Sequence, residues 1–256
     1  MGVTLFDPIF FIGPLSSILV SGFLLYCFKK KGKLTLAVLV LAALAYFGAI
    51  IAKAVFQYFT AATVVADYGS SSIETGLYYG AQTSLLEVGG AYLIARHWKK
   101  HVPQRYGFSY GASMGFFENG ILLGLFTLIN LAYYYYLLGL GGNSLSTYIY
   151  DILVTSSPAL FYPPLKALPI VGLSVLERTS SLMIHIAWGF LVVTAVNQQK
   201  LRYLGYAIPM GLVDALVPFS SEMGVAVFEL VVFLIALLSL LLSLRVNHGL
   251  RIGQRQ

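Results

Sequence analysis

Seven long apolar stretches, at about 8–28, 34–59, 76–98, 107–137, 170–196, 202–219 and 223–244, decide what this chain can fold into. An α-helix rises ~1.5 Å per residue, so about 20 apolar residues cross the hydrocarbon layer of a bilayer. The stretches are continuous rather than alternating and far exceed the ~10 residues of a barrel strand, which predicts helices. Composition agrees. Hydrophobic residues make up 58% of the 256 positions and charged residues 10%, where a soluble domain carries roughly 25%. These values exclude a soluble domain and a disordered chain, and a single Cys27 excludes an intramolecular disulfide. The fold class expected is all-α: a polytopic membrane protein with a bundle of seven transmembrane helices. No linker or long repeat divides residues 1–256, which are expected to form one domain.

The opening MGVTLFDPIF has no basic segment and no clear small-residue cleavage site, so the first stretch reads as a retained span. A net charge of +6 would suit nucleic acid, but the basic residues sit at span ends and no nucleic-acid partner is expected. Lys29, Lys30, Lys31 and Lys33 follow the first span, and Arg96, Lys99, Lys100 and Arg105 follow the third. Lys200 and Arg202 follow the fifth, and Arg245, Arg251 and Arg255 follow the seventh. The opposite connections hold Lys166 and the acids Asp67, Glu74, Asp151 and Glu222. The positive-inside rule then puts the N-terminus outside and the C-terminus in the cytoplasm, with the plasma membrane as the default location. One outer connection, at about 138–169, is long, and its end SSPALFYPPLKALP carries four prolines. It is expected to be a loop on the membrane surface, with re-entry into the outer leaflet as the alternative. Tyr133, Tyr134, Tyr135 and Tyr136 read as part of an aromatic belt.

Five acids fall inside these spans: Glu87, Glu118, Glu177, Asp214 and Glu229, joined by Arg178, His185, Lys53 and Asn119. An acid at the membrane centre costs ~2.5–3.5 kcal/mol on insertion scales, so such groups must face one another, water or a ligand. Glu87 and Glu118 each lie about 16 Å from a membrane face, and His185 lies at similar depth. Arg178, Ser181 and His185 share one helix face, and Arg178 is expected to pair with an acid from another span. Lys53 is expected to snorkel from the outer end of its span. Gly111 with Gly115, and Gly120 with Gly124, form two G-x-x-x-G motifs on the fourth span, expected to let helices approach closely.

The order of these groups resembles a superfamily of intramembrane proteases that includes the CaaX- and bacteriocin-processing (CPBP) enzymes, the PrsW type and the YhfC type. LLEVGGAYL around Glu87 resembles the first-motif helix of the YhfC type, and GFFENG around Glu118 and Asn119 resembles the PrsW-type second motif. LERTSSLMIHIAWGF resembles the YhfC-type Glu-Arg block with its following His, here Glu177, Arg178 and His185, and GLVDALVPF resembles the last block, with Asp214. The chain departs from the pattern at Leu86, where many members have a first Glu, and at Met114 and Gly211, where histidines are usual. It is also similar in length and span number to the anterior-pharynx-defective subunit of γ-secretase, a scaffold related to these proteases.

The resemblance implies a glutamate-dependent intramembrane peptidase. Glu87 or Glu118 would activate water, His185 and Asn119 would polarise the carbonyl or bind the oxyanion, and Glu177, Arg178 and Asp214 would support them. No cofactor is expected: a metal held by His185 and carboxylates is disfavoured, because zinc prefers nitrogen and sulfur ligands. The alternative is a non-catalytic scaffold subunit that binds a partner helix on the glycine face of the fourth span. The expected partners are the lipid bilayer and a membrane-protein substrate or membrane-protein partner.

Overall fold

The computed structural model describes residues 3–141 and 143–253. Arg255, one of the basic residues assigned above to the cytoplasmic end, lies outside them. The described residues form helices throughout. Helix α1 covers Pro8–Lys30, α2 Leu36–Tyr68, α4 Gln104–Gly139, α6 Pro164–Gln198 and α7 Arg202–Met223. Helix α3 runs without a break through Ile73–Gln82, Thr83–Val88 and Gly89–His97, α5 covers Ser144–Ser156, and α8 covers Val225–Gly253. The starts follow local chemistry. Asp7 accepts the amide of Ile9 with Pro8 behind it, and Thr35, Ser72 and Asn143 each cap the helix that follows. Gly69, with φ +87°, ends α2 in a conformation that side chains rarely adopt.

Six helices among the described residues are long and apolar enough to cross a membrane, where the sequence reading expected seven. The exception is α3, which occupies the expected third span. Tyr78, Tyr79, Gln82, Thr83, Ser84 and Glu87 make it too polar to qualify, and several of these face inward. The expected loop at 138–169 also needs correction. It holds α5, and α6 begins at Pro164, some residues before the expected start at 170. Pro164 sits at the first helical position, where its missing amide hydrogen costs nothing. The α5 helix packs Leu153 with Phe6, Leu131 and Leu138 in a small apolar cluster of its own. Tyr135 stacks edge-on against Phe6 at 5.3 Å, whereas Tyr133 and Tyr136 stay exposed, so only part of the tyrosine run is free to meet the interface.

Helix α6 is the central element. Its Trp188, Phe190, Leu191, Val192 and Val193 are buried, packed among Tyr110, Met114, Val88 and Ala91. The outward faces carry Leu19, Phe23, Leu238 and Leu241, as suits lipid. α4 and α6 touch backbone to backbone. A Cβ on Gly189 would lie 2.2 Å from the Cα of Gly111, and one on Gly111 would lie 2.2 Å from the carbonyl oxygen of His185. A Cβ on Gly115 would meet Leu182 at 2.7 Å. Further along α4, a Cβ on Gly120 or Gly124 would meet Ser21 or Ile18 of α1 at 2.8 Å. The glycine faces on which a partner helix would dock in the scaffold reading are therefore covered by α6 and α1 of the same chain.

Adding a side chain at the α4–α6 crossing should separate the two helices. Gly111→Val is expected to destabilise the protein by more than ~3 kcal/mol, read as a lower melting temperature in detergent, while Gly48→Val, with no atom within 4 Å among the described residues, leaves it unchanged.

Candidate metal centre

The close crossing of α4 and α6 sets Glu118 beside His185. Glu87 and Glu118 both sit where the helix departs from α geometry. Glu87 lies in the π-helical stretch Thr83–Val88 of α3 and Glu118 in the π-helical stretch Phe116–Leu125 of α4. Such insertions swing a side chain off its regular position and recur at functional sites. Asp214 likewise lies in the 3₁₀ stretch Leu212–Phe219 of α7.

Three side chains converge. His185 Nε2 lies 3.0 Å from Glu118 Oε2 and 3.7 Å from Glu87 Oε2, and one donor atom from each residue falls within 4.8 Å of the others. Glu87 and His185 are each 3% exposed. Every donor is held from behind. Glu87 Oε1 accepts from Lys53 Nζ at 2.6 Å, and Glu118 Oε1 accepts from the Ser181 hydroxyl at 2.8 Å. His185 Nδ1 lies 2.9 Å from the Ser181 carbonyl oxygen. A carbonyl can only accept, so Nδ1 carries a hydrogen, and Nε2 is the ring atom turned towards the two carboxylates. Nε2 is buried, and the polar atoms that face it are the two carboxylates. Two carboxylates converging on one imidazole nitrogen require positive charge among them. A divalent ion would supply it to all three donors at once, and the outer partners on Nδ1 and on each carboxylate are of the kind that orient metal ligands.

The cluster lines a cavity of about 520 Å³ together with Tyr46, Lys53, Asp214 and Trp188. It runs from the three donors to the α7–α8 turn at Ser220 and Val225. Glu87, Glu118, Glu177, Asp214 and Glu229 all border it. Lys53 is not a snorkelling residue. It bonds Glu87 and Thr83, and lies 3.7 Å from Asp214, whose carboxylate also accepts from Thr83. The expected end of the second span at 59 placed Lys53 near the surface, but α2 continues to Tyr68. Arg178 pairs with its neighbour Glu177 and not with an acid of another helix, because both side chains turn into the cavity. Asn119 is buried outside the cavity. Its amide donates to the Ser181 hydroxyl and the Gly115 carbonyl, so it reaches the cluster only through Ser181.

The two missing histidines are also explained. Met114 is fully buried among the packed residues of α4 and α6. A Cβ on Gly211 would lie 2.9 Å from the Cα of Ser84, which leaves no space for an imidazole.

A family model for YhfC intramembrane metalloproteases matches residues 16–237, a range that takes in all three donors. The chain belongs to that family. No curated protein and no solved structure matches it. For a YhfC-family chain, the cluster fits a metal better than the metal-free glutamate mechanism expected from the sequence. One histidine and two carboxylates form a mixed donor set suited to a divalent transition ion. The ligand preference of zinc argued against a metal when only the residue types were known. Convergence and the outer partners argue for one.

Glu118→Ala and His185→Ala are expected to abolish stoichiometric metal binding by the purified protein. Ser181→Ala, which removes only an outer partner, should weaken it about 10–100-fold in competition with a chromophoric chelator. Unchanged affinity in all three variants would contradict the assignment.

Proposed function

We propose that this chain hydrolyses a peptide bond of a membrane-embedded protein substrate at a divalent metal held by Glu87, Glu118 and His185. The observation that carries the reading is the convergence of three buried donor atoms, each fixed by an outer partner, on the wall of a cavity large enough for several side chains. Such an ion, when bound, polarises the scissile carbonyl and lowers the pKa of water at its open position.

The rest of the chemistry falls to the chain. With Glu87 and Glu118 committed as ligands, neither is free to act as the base. Asp214 is the remaining carboxylate beside them, oriented by Thr83 and Lys53 and open to the cavity. It takes the proton from water and returns it to the leaving amine. Lys53 bridges Glu87 and Asp214, so it fixes ligand and base relative to each other. Tyr46 and Trp188 pack edge-on around His185, with ring centroids at 6.3 and 4.3 Å, and exclude bulk water from its ring. Asn119 holds the Ser181 hydroxyl that fixes Glu118, which replaces the oxyanion role expected for it. The alternation of basic residues supports α3 as a seventh crossing, with the N-terminus outside, the C-terminus cytoplasmic and the plasma membrane as the place of residence.

With a fluorogenic transmembrane peptide as substrate, chelation should abolish cleavage and re-addition of a divalent metal should restore it. Asp214→Asn is expected to lower kcat by about 10²–10⁴ while metal content stays at the wild-type level. Cleavage that survives complete metal removal would overturn the reading.

A further inference from the structure

The charges on the cavity wall do not cancel. Glu87, Glu118, Glu177, Asp214 and Glu229 border it, against the cations Lys53 and Arg178. Lys53 is occupied by Glu87 and Asp214, and Arg178 by Glu177. Glu87 and Glu118 face His185, where the metal fits. Glu229 is left over. It is 5% exposed, and its Oε2 is buried with no hydrogen-bond partner among the described residues. Its neighbours on the wall from α7 and α8 include Val213, Val217, Val225, Phe228 and Val232. An ionised carboxylate in such apolar surroundings is strongly disfavoured unless a cation meets it.

We propose that Glu229 is an acidic subsite that receives a Lys or Arg side chain of the membrane-embedded substrate. The inference rests on the metalloprotease reading, which supplies a peptide to the cavity, and it adds a sequence preference to that activity. Lys and Arg carry an apolar stem and a charged head. The stem matches the valine and phenylalanine wall, and the head meets the unpartnered carboxylate. Glu229 and the three donors border one cavity, so a single bound segment would contact both. Glu229 should therefore govern binding of the substrate and leave the bond-breaking step alone.

The test uses the full-length, metal-loaded protein in nanodiscs and a set of fluorescent Leu/Ala transmembrane peptides. Each peptide carries one Lys, moved along the helix turn by turn, and has a twin with norleucine in its place. Binding is read by anisotropy, separately from cleavage. At one Lys position the affinity is expected to exceed that of the norleucine twin at least tenfold. Glu229→Gln should bring the pair within twofold while binding the norleucine peptide as the wild type does, which also reports an intact fold. Glu229→Asp should retain the preference, and Glu229→Lys should reverse it in favour of a peptide bearing Glu. The inference is overturned if no Lys position is preferred, or if the preference survives undiminished in Glu229→Gln, as it would if Arg178 neutralised Glu229. Absence of any Lys preference in the unsubstituted protein, with metal-dependent cleavage intact, strikes this subsite alone. Metal-independent cleavage strikes the reading beneath it.

Discussion

Everything in this molecule depends on how closely α4 and α6 cross. With Gly111 against Gly189, the two backbones meet where ordinary side chains would hold them apart. Lipid tails are as apolar as leucine, so helices in a membrane associate through close packing and polar contacts. The crossing supplies the packing, with Trp188, Phe190 and Tyr110 filling the space around it. It also fixes the site. Glu118 lies beyond the crossing on one helix, Ser181 and His185 on the other, and their mutual distances follow from it. A looser crossing would carry the carboxylate away from the imidazole.

The second constraint is charge in a low-dielectric setting. Isolated charges in the hydrocarbon layer are costly, and pairing offsets that cost only where the geometry is good. The chain meets the requirement in two ways. Lys53 and Arg178 each sit against a carboxylate on the cavity wall. The Glu87–Glu118–His185 cluster converges donor atoms in a way consistent with a divalent metal, which would complete it. Departures from α-helical geometry accompany these groups, at Glu87, Glu118 and Asp214 alike. The regular helices build the container, and the irregular turns aim the acids into it.

Much of this was legible in the sequence. Helix-length apolar runs gave the all-α membrane class, because nothing else buries that much hydrocarbon. Glu87, Glu118 and His185 stood out because charge at mid-span requires a reason. Other features were hidden for physical reasons. Lys53 looked terminal because hydropathy ended its span at 59, whereas hydrogen bonding carries α2 on to Tyr68. The role of Ser181 lies in tertiary contacts that no local pattern encodes. Counting histidines argued against a metal, since residue types carry no information about convergence. The helix α5 was missed because prolines near it suggested a loop, although Pro164 opens a helix rather than breaking one. The π-helical stretches left no periodic signature that could be separated from ordinary helix.

The proposed chemistry requires one metal ion between Glu87, Glu118 and His185. The most direct measurement is anomalous X-ray scattering from crystals of the metal-loaded protein, collected on both sides of the absorption edge of the bound element. A single anomalous peak is predicted within bonding distance of His185 Nε2 and of one oxygen from each glutamate. Well-ordered electron density for all three side chains with no anomalous peak among them would contradict it.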